Sequence, residues 1–455
     1  MTVDIHRGSE VSRLVKALEE APSNLSIVAV SGPGGVGKTY LLSHVLEMVE
    51  PSRLGYLTLQ TNAENPEVRE DFFGILEKLF PRSLPPPANP NKDYFPHLRD
   101  VAARHRRLVG KVMSEIQKQG ATESVQRVAK ALLNTGRALN AVVPPSKVIL
   151  NVSGVRDAQL EEAFEGAGKL LRGLSQMGES TALWGPLRDL TGATRANRLK
   201  RDLYSLAASE LRADLVAALR GYERRDLARF MHAPIPGLSS LLIVIDDYEA
   251  LQGALGDFLT GALVHELAES RLRTVLVILG RDDLQSTHPG WGQHCRRYLR
   301  DQIRLAPLDK EGAGAILSAA GIPESRWSDL YESTQGYPFL LNLAIEEKLE
   351  PGSDSVTFLQ RFIERTTRWM SEEQREWFFR ICYLDRVDED SLCSLFPADK
   401  VPSIQSWFEK ESSIRDPFAE YFRVRPMVRE KVLRYLAVRS PSRHRELLTL
   451  ANDLR

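Results

Sequence analysis

Five short apolar runs punctuate the chain, and each ends in a polar or glycine-rich break. They are Leu25-Ser-Ile-Val-Ala-Val30, Gly55-Tyr-Leu-Thr-Leu59, Leu241-Leu-Ile-Val-Ile245, Thr274-Val-Leu-Val-Ile-Leu279 and the shorter Gln302-Ile-Arg-Leu305. Continuous runs rich in Val and Ile suit strands buried on both faces. Helical patterns, beginning with Tyr40 to Val49, separate the runs. Strands alternating with helices predict an α/β fold built on a parallel sheet.

The spacing between the second and third runs is far longer than one crossover requires. Pro81 to Pro90 forms a proline-rich break, and helical patterns cover Arg99 to Leu139, Ala158 to Leu174 and Ala196 to Met231. This stretch is expected to be a helical insert. Its face between Arg99 and Arg137 carries more basic than acidic residues, as a solvated helix face does. Beyond residue 308 the pattern is helical. Lys310–Ala320, Ser325–Gln335, Pro338–Leu349 and Val356–Met370 are predicted as four short helices with Gly and Pro at the joints. Ser371 followed by Gln374 predicts an N-cap for a helix over Glu372–Leu384, with further helices over Asp388–Phe396 and Ser403–Lys410. A hairpin is expected from Ser413-Ile-Arg through a turn at Asp416-Pro417 to Tyr421-Phe-Arg-Val424, giving the outline of a winged helix.

Composition narrows the function classes. The chain has 455 residues, 60 Lys+Arg against 60 Asp+Glu, 43% hydrophobic and 26% charged residues. A net charge of +0 excludes nucleic-acid binding by bulk charge, though not through a local basic patch. The three cysteines form neither a disulfide framework nor a metal-ligand spacing, so a reducing, cytoplasmic setting is expected. No apolar run approaches the length of a membrane helix, and the N-terminus has no apolar leader core.

The strongest chemical signal follows the first strand. Gly32-Pro33-Gly34-Gly35-Val36-Gly37-Lys38-Thr39 fits G-x-x-x-x-G-K-[ST] in full, and Tyr40 continues into the next helix. Glycines allow successive N–H groups to face a phosphate chain at the positive end of that helix. Lys38 is then placed to bridge the β- and γ-phosphates, and the Thr39 hydroxyl to ligate Mg2+. Asp246 and Asp247 close the third run. An acid there suits Mg2+, held through water by Asp246, and the second acid, Asp247, is placed to polarise an attacking water. Arg281 ends the fourth run, where it can sense a γ-phosphate.

Together these residues resemble the STAND-type NTPases, the signal-transducing branch of the AAA+-like ATPases that includes the NB-ARC and NACHT modules. The resemblance covers roughly 1–62 and 236–440. Ile5-His-Arg-Gly-Ser-Glu10 resembles the family's opening element near the adenine, with the order Arg7-Gly8 inverted. Ile243-Val-Ile-Asp-Asp-Tyr248 resembles its Walker B strand, and Gly280-Arg281 its sensor arginine. Ile303-Arg-Leu-Ala-Pro-Leu308 resembles the entry to its helical lid. Gln335-Gly-Tyr-Pro-Phe-Leu340 resembles its G-x-P element, which implies that Pro338 packs on the base. Phe422-Arg-Val-Arg-Pro-Met-Val-Arg429 stands where many members carry Met-His-Asp, with Arg425 at the histidine position and Pro426 at the aspartate position. Arg425 is thereby placed to reach the ADP β-phosphate.

The resemblance implies a P-loop NTPase core at 1–62 and 236–308, a helical insert at 63–235, a helical lid at 309–370 and a winged helix at 371–455. It implies a slow regulatory ATPase that binds ATP and ADP with Mg2+ and opens to a homo-oligomer in the ATP state. Any effector or sensor is expected to be the insert or a separate protein. The alternative is a DNA-engaged AAA+-like ATPase, an initiator-type loader or transposition regulator. The segment 421–455 has nine Lys/Arg against three Asp/Glu, whereas Ser403–Lys410, at the recognition-helix position, is poor in basic residues. Arg296, Arg297 and Arg300 lie where AAA+ proteins often place an arginine that acts on a neighbouring subunit.

Overall fold

A computed structural model describes residues 7–62, 72–84, 92–103, 193–224, 239–346, 356–367, 370–411, 414–416 and 419–452. The expected helices over 104–139 and 158–174, with Ser413 and Pro417 of the hairpin, lie outside these residues.

Five strands form one sheet: β1 (Leu25–Ser31), β2 (Tyr56–Thr61), β3 (Ser240–Ile245), β4 (Arg273–Gly280) and β5 (Leu299–Arg304). Their order is β2-β3-β4-β1-β5, and every pairing is parallel. All C-terminal strand ends therefore lie on one edge, and β4 stands between β3 and β1. The second strand runs to Thr61, past the apolar run, because Gln60 and Thr61 pair with Val244 and Ile245. The fifth begins at Leu299, earlier than its apolar residues suggest. It is an edge strand whose alternate positions face solvent, so charged Arg300 and Asp301 are tolerated within it.

The two faces of the sheet divide its side chains by the period of two. Ile27, Ala29, Ile243, Ile245 and Ile278 face one layer of helices. That layer holds α3 (Phe72–Leu79), α4 (Ala193–Arg224), α5 (Tyr248–Phe258) and α6 (Val264–Glu269). Val28, Val30, Val244, Val277 and Leu279 face the other, made by α1 (Gly8–Glu19) and α2 (Lys38–Val49). Helix α4, which returns the chain to β3, is anchored by aromatic packing. Tyr204 stands 4.9 Å from Phe72 and 5.7 Å from Phe258, ring centre to ring centre. Its Asp214, fully buried, accepts from the backbone N–H of Leu98 at 2.9 Å and contacts His97 Nδ1 at 2.6 Å. A buried carboxylate is stable only with such donors.

Downstream of β5 the described chain is helical: α7 (Lys310–Ala319), α8 (Trp327–Thr334), α9 (Pro338–Glu346), α10 (Val356–Thr367), α11 (Glu372–Ile381), α12 (Glu389–Leu395), α13 (Val401–Lys410), α14 (Pro426–Arg439) and α15 (Pro441–Asn452). Ser371 and Gln374 form a reciprocal capping box at the start of α11. In place of an extended hairpin, the described residues show one antiparallel bridge, Arg415 to Val424. Leu317, Leu341, Phe358, Phe378, Ile404, Val432 and Leu447 belong to one continuous apolar core. The helices after β5 thus pack as a single body.

Candidate functional site

The parallel topology brings the loops after β1, β3 and β4 to one edge, the usual place for ligands in such sheets. The loop after β1 wraps tightly. Gly35 and Gly37 sit at φ +77° and +97°, where a side chain would be strained. Gly32 N–H donates to the Arg281 carbonyl at 3.2 Å, tying the loop to the end of β4. Lys38 Nζ donates to the Gly32 and Pro33 carbonyls at 2.7 and 3.2 Å. Burial pushes the Lys38 ammonium pKa down; Glu249 is the strongest of the acids opposing this, and Arg281 adds to it.

Thr39 Oγ1 donates to Asp246 Oδ2 at 2.7 Å, joining the phosphate loop to the end of β3. Asp246 Oδ1 accepts the N–H of Asp247 at 2.8 Å. Asp247 takes a left-handed conformation, φ +54°, at the start of α5. Such conformations in non-glycine residues concentrate at functional sites. Tyr40 points outward from α2 and is about half exposed, 49%. A hydroxyl beside a carboxylate is a hard-oxygen set that fits Mg2+, which keeps several waters and takes its remaining ligands from phosphate. Among the described residues no cluster of three or more His, Cys, Asp or Glu offers a separate metal cage.

Arg281 is buried and held by two acids. Its Nε lies 2.9 Å from Glu249 of α5, and its Nη1 lies 3.1 Å from Glu411, just past α13. Arg7 is also buried; it donates to the carbonyls of Val36 at 3.0 Å and Ala306 at 2.7 Å, and burial lowers its pKa. It braces the phosphate loop against the chain leaving β5.

The turn before α9 closes over the loop. Phe339 N–H donates to the Gly35 carbonyl at 3.2 Å, and Pro338 borders Gly37. Arg425 reaches the same turn: its Nη1 donates to the Tyr337 hydroxyl at 2.7 Å and its Nε to the Arg415 carbonyl at 2.9 Å. Gly34, Arg281, Tyr337, Phe339 and Val428 line a cavity of about 40 Å3 where loop, turn and C-terminal helices meet. Lys38, Thr39, Asp246, Arg281 and Pro338 thus converge, and Arg425 joins through Tyr337. Tyr337 and Phe339 flank Pro338 within the G-x-P element, and Glu249 and Glu411 complete the cluster without any motif to mark them. Arg300 instead donates to the Glu20 carbonyl within the same chain at 2.9 Å.

The turn itself depends on Gly336. It sits at φ +70°, and a Cβ there would lie 2.0 Å from the Leu308 carbonyl oxygen. Gly336→Ala is expected to lower stability by about 2 kcal/mol or more, read as a lower denaturant midpoint. An unchanged midpoint would mean that the turn adjusts freely.

A parallel sheet with a phosphate-loop sequence after β1, paired acids after β3 and a strand inserted between them is a P-loop NTPase fold. No family model and no curated protein matches the chain. Among solved structures, a STAND protein with a tetratricopeptide repeat sensor from Pyrococcus horikoshii aligns at 12% identity and TM-score 0.32, over 100% of this chain and 45% of that one. The Aeropyrum pernix ORC1 protein in complex with DNA aligns at 13% identity and TM-score 0.35, over 98% and 95% of the two chains. The Aeropyrum pernix ORC2 protein aligns at 11% and 0.35, over 96% of each. The chain spans less than half of the first of these. The fold is defined by the strand order β2-β3-β4-β1-β5 and the glycine-rich loop after β1.

Proposed function

We propose that the chain is a regulatory ATPase switch. It binds ATP and ADP, hydrolyses ATP slowly, and uses the nucleotide state to control opening and self-association, acting on a separate effector in signalling or defence. One observation supports this reading above others: the helices after β5 contact the phosphate-binding edge at three points. Phe339 touches Gly35, Pro338 borders Gly37, and Glu411 touches Arg281. In this reading 309–370 is a lid, 371–455 a winged helix and 63–235 an insert on the core formed by 1–62 and 236–308.

The loop glycines and Lys38 bind the phosphates, Thr39 and Asp246 would hold Mg2+, and the ion would offset charge on the phosphate oxygens. Asp247 orients the attacking water, Arg281 reads the γ-phosphate, and Pro338 packs on the base. A nucleotide shifts the switch only if its contacts differ between closed and open forms, so the lid turn and Arg281 have to change partners.

Arg425 acts on the closed form through Tyr337. Arg425→Ala is expected to speed ADP release about tenfold and favour the self-associated form, and Tyr337→Phe is expected to reproduce most of that effect. Stopped-flow release of a fluorescent ADP analogue, with light scattering for mass, tests both. ADP leaving both variants at the wild-type rate would remove the contact from the switch.

A second reading, DNA engagement, has one observation in its favour. Tyr421 and Phe422 are exposed, and Arg386, Arg415 and Arg423 lie over their rings. Against it, α13 spends Val401, Ile404 and Phe408 on the core, and the residue after it contacts Arg281. Duplex binding that falls steeply with salt and weakens in Arg423→Ala would favour DNA.

A further inference from the structure

We propose that Glu411 is an internal stand-in for a nucleotide's terminal phosphate: its carboxylate occupies Arg281, and ATP releases the C-terminal helices by taking that arginine. The inference rests on the switch reading above and gives it a residue-level latch. Arg281 connects three elements. It directly follows β4, pairs with Glu249 of the core through Nε at 2.9 Å, and pairs with Glu411 through Nη1 at 3.1 Å. Its Nη2 lies against the phosphate loop, 4.0 Å from where a Cβ on Gly34 would stand. The guanidinium presents five donors in one plane, so it can keep Glu249 while exchanging a carboxylate for a phosphate oxygen.

The location of Glu411 is electrostatically unusual. It is the C-cap of α13, and its N–H bonds back to the Trp407 and Phe408 carbonyls. A carboxylate at that negative helix end is disfavoured on its own, and the buried Arg281 supplies the compensating charge. A γ-phosphate near Gly34 would compete for the same guanidinium with more charge and repel the Glu411 carboxylate. ADP has no phosphate at that position, so it leaves the pair intact. The latch therefore separates ATP from ADP by charge, and it loads the difference onto α13, whose Ile404 and Phe408 lie in the core of the helical body.

Glu411→Gln tests this in the full chain, with Mg-ATP and Mg-ADP titrations and hydrogen exchange at the amides of Val401–Lys410. The variant is expected to bind ATP about 5- to 150-fold more tightly, with ADP affinity changed far less. Exchange in α13 without nucleotide is expected to rise towards the level that ATP produces in the wild type. Wild-type exchange in α13 of the variant, or equal gains for ATP and ADP, would overturn the latch. A wild type that binds neither nucleotide would overturn the switch reading, and with it the competition by phosphate. Faster α13 exchange in the variant would then mark the Glu411–Arg281 pair as a purely structural clasp.

Discussion

Lys38→Ala is expected to lower affinity for Mg-ATP and Mg-ADP by a factor of about 100 or more. Charge-assisted hydrogen bonds contribute roughly 1.5–3 kcal/mol each, and this lysine is positioned to make them to two phosphate groups. Its ammonium is buried and donates to the carbonyls of Gly32 and Pro33. Burial depresses its pKa, with Glu249 first among the acids that counter the effect. Holding a cation there costs desolvation, which phosphate binding offsets. Lys38→Met, which keeps the chain volume and removes the charge, is therefore expected to leave the thermal midpoint of the nucleotide-free protein equal or higher. The upward shift that nucleotide gives the wild type should disappear in that variant. Titration calorimetry paired with thermal melts checks both. Wild-type affinity in Lys38→Ala would show that the loop does not hold phosphates through this side chain.

The second large effect concerns hydrolysis. Asp247→Asn is expected to reduce single-turnover phosphate release by roughly 100- to 10,000-fold, the usual range for losing a positioned base, with nucleotide affinity within about twofold of wild type. Asparagine is the suitable replacement because Asp247 sits at φ +54°, a conformation that Asn adopts readily. Glu249 is the competing acid, but its Oε1 pairs with the Arg281 guanidinium. Glu249→Gln is expected to disturb Arg281 and lower ATP discrimination rather than remove the base. If phosphate release survives in Asp247→Asn and collapses in Glu249→Gln, the water-orienting role belongs to Glu249.

Both tests concern residues of different legibility. Lys38, Thr39 and Asp246 are legible in the amino-acid string because the G-x-x-x-x-G-K-[ST] pattern and an acid at a strand end are fixed residue types at fixed places. Glu249 could not, since an acid in the first turn of a helix is commonplace. Helix α1 carries a helical signal of its own, with Val11, Leu14, Val15 and Leu18 at i, i+3, i+4 and i+7, although no side chain caps its start. The helix pairs after β5 were legible to within a few residues because Gly336, Pro338 and Ser371 mark their joints.

By itself, the chain's sequence determined the parallel α/β layout, the phosphate loop, the paired acids and the joints between the later helices. Each of these is local: a run of β-branched residues, a glycine that alone fits a positive φ, or a cap within one turn. Tertiary structure alone decided that Arg281 meets Glu411, 130 positions away, and that Arg425 meets Tyr337, 88 positions away. It also decided that Arg300 binds Glu20 in the same chain and that Phe339 rests on Gly35. The first and last of these are chosen by how the helical body packs on the sheet edge, Arg425–Tyr337 by packing within that body, and Arg300–Glu20 by the docking of α1 beside β5. A contact between charged residues far apart in sequence leaves no periodicity, so only burial and geometry select it.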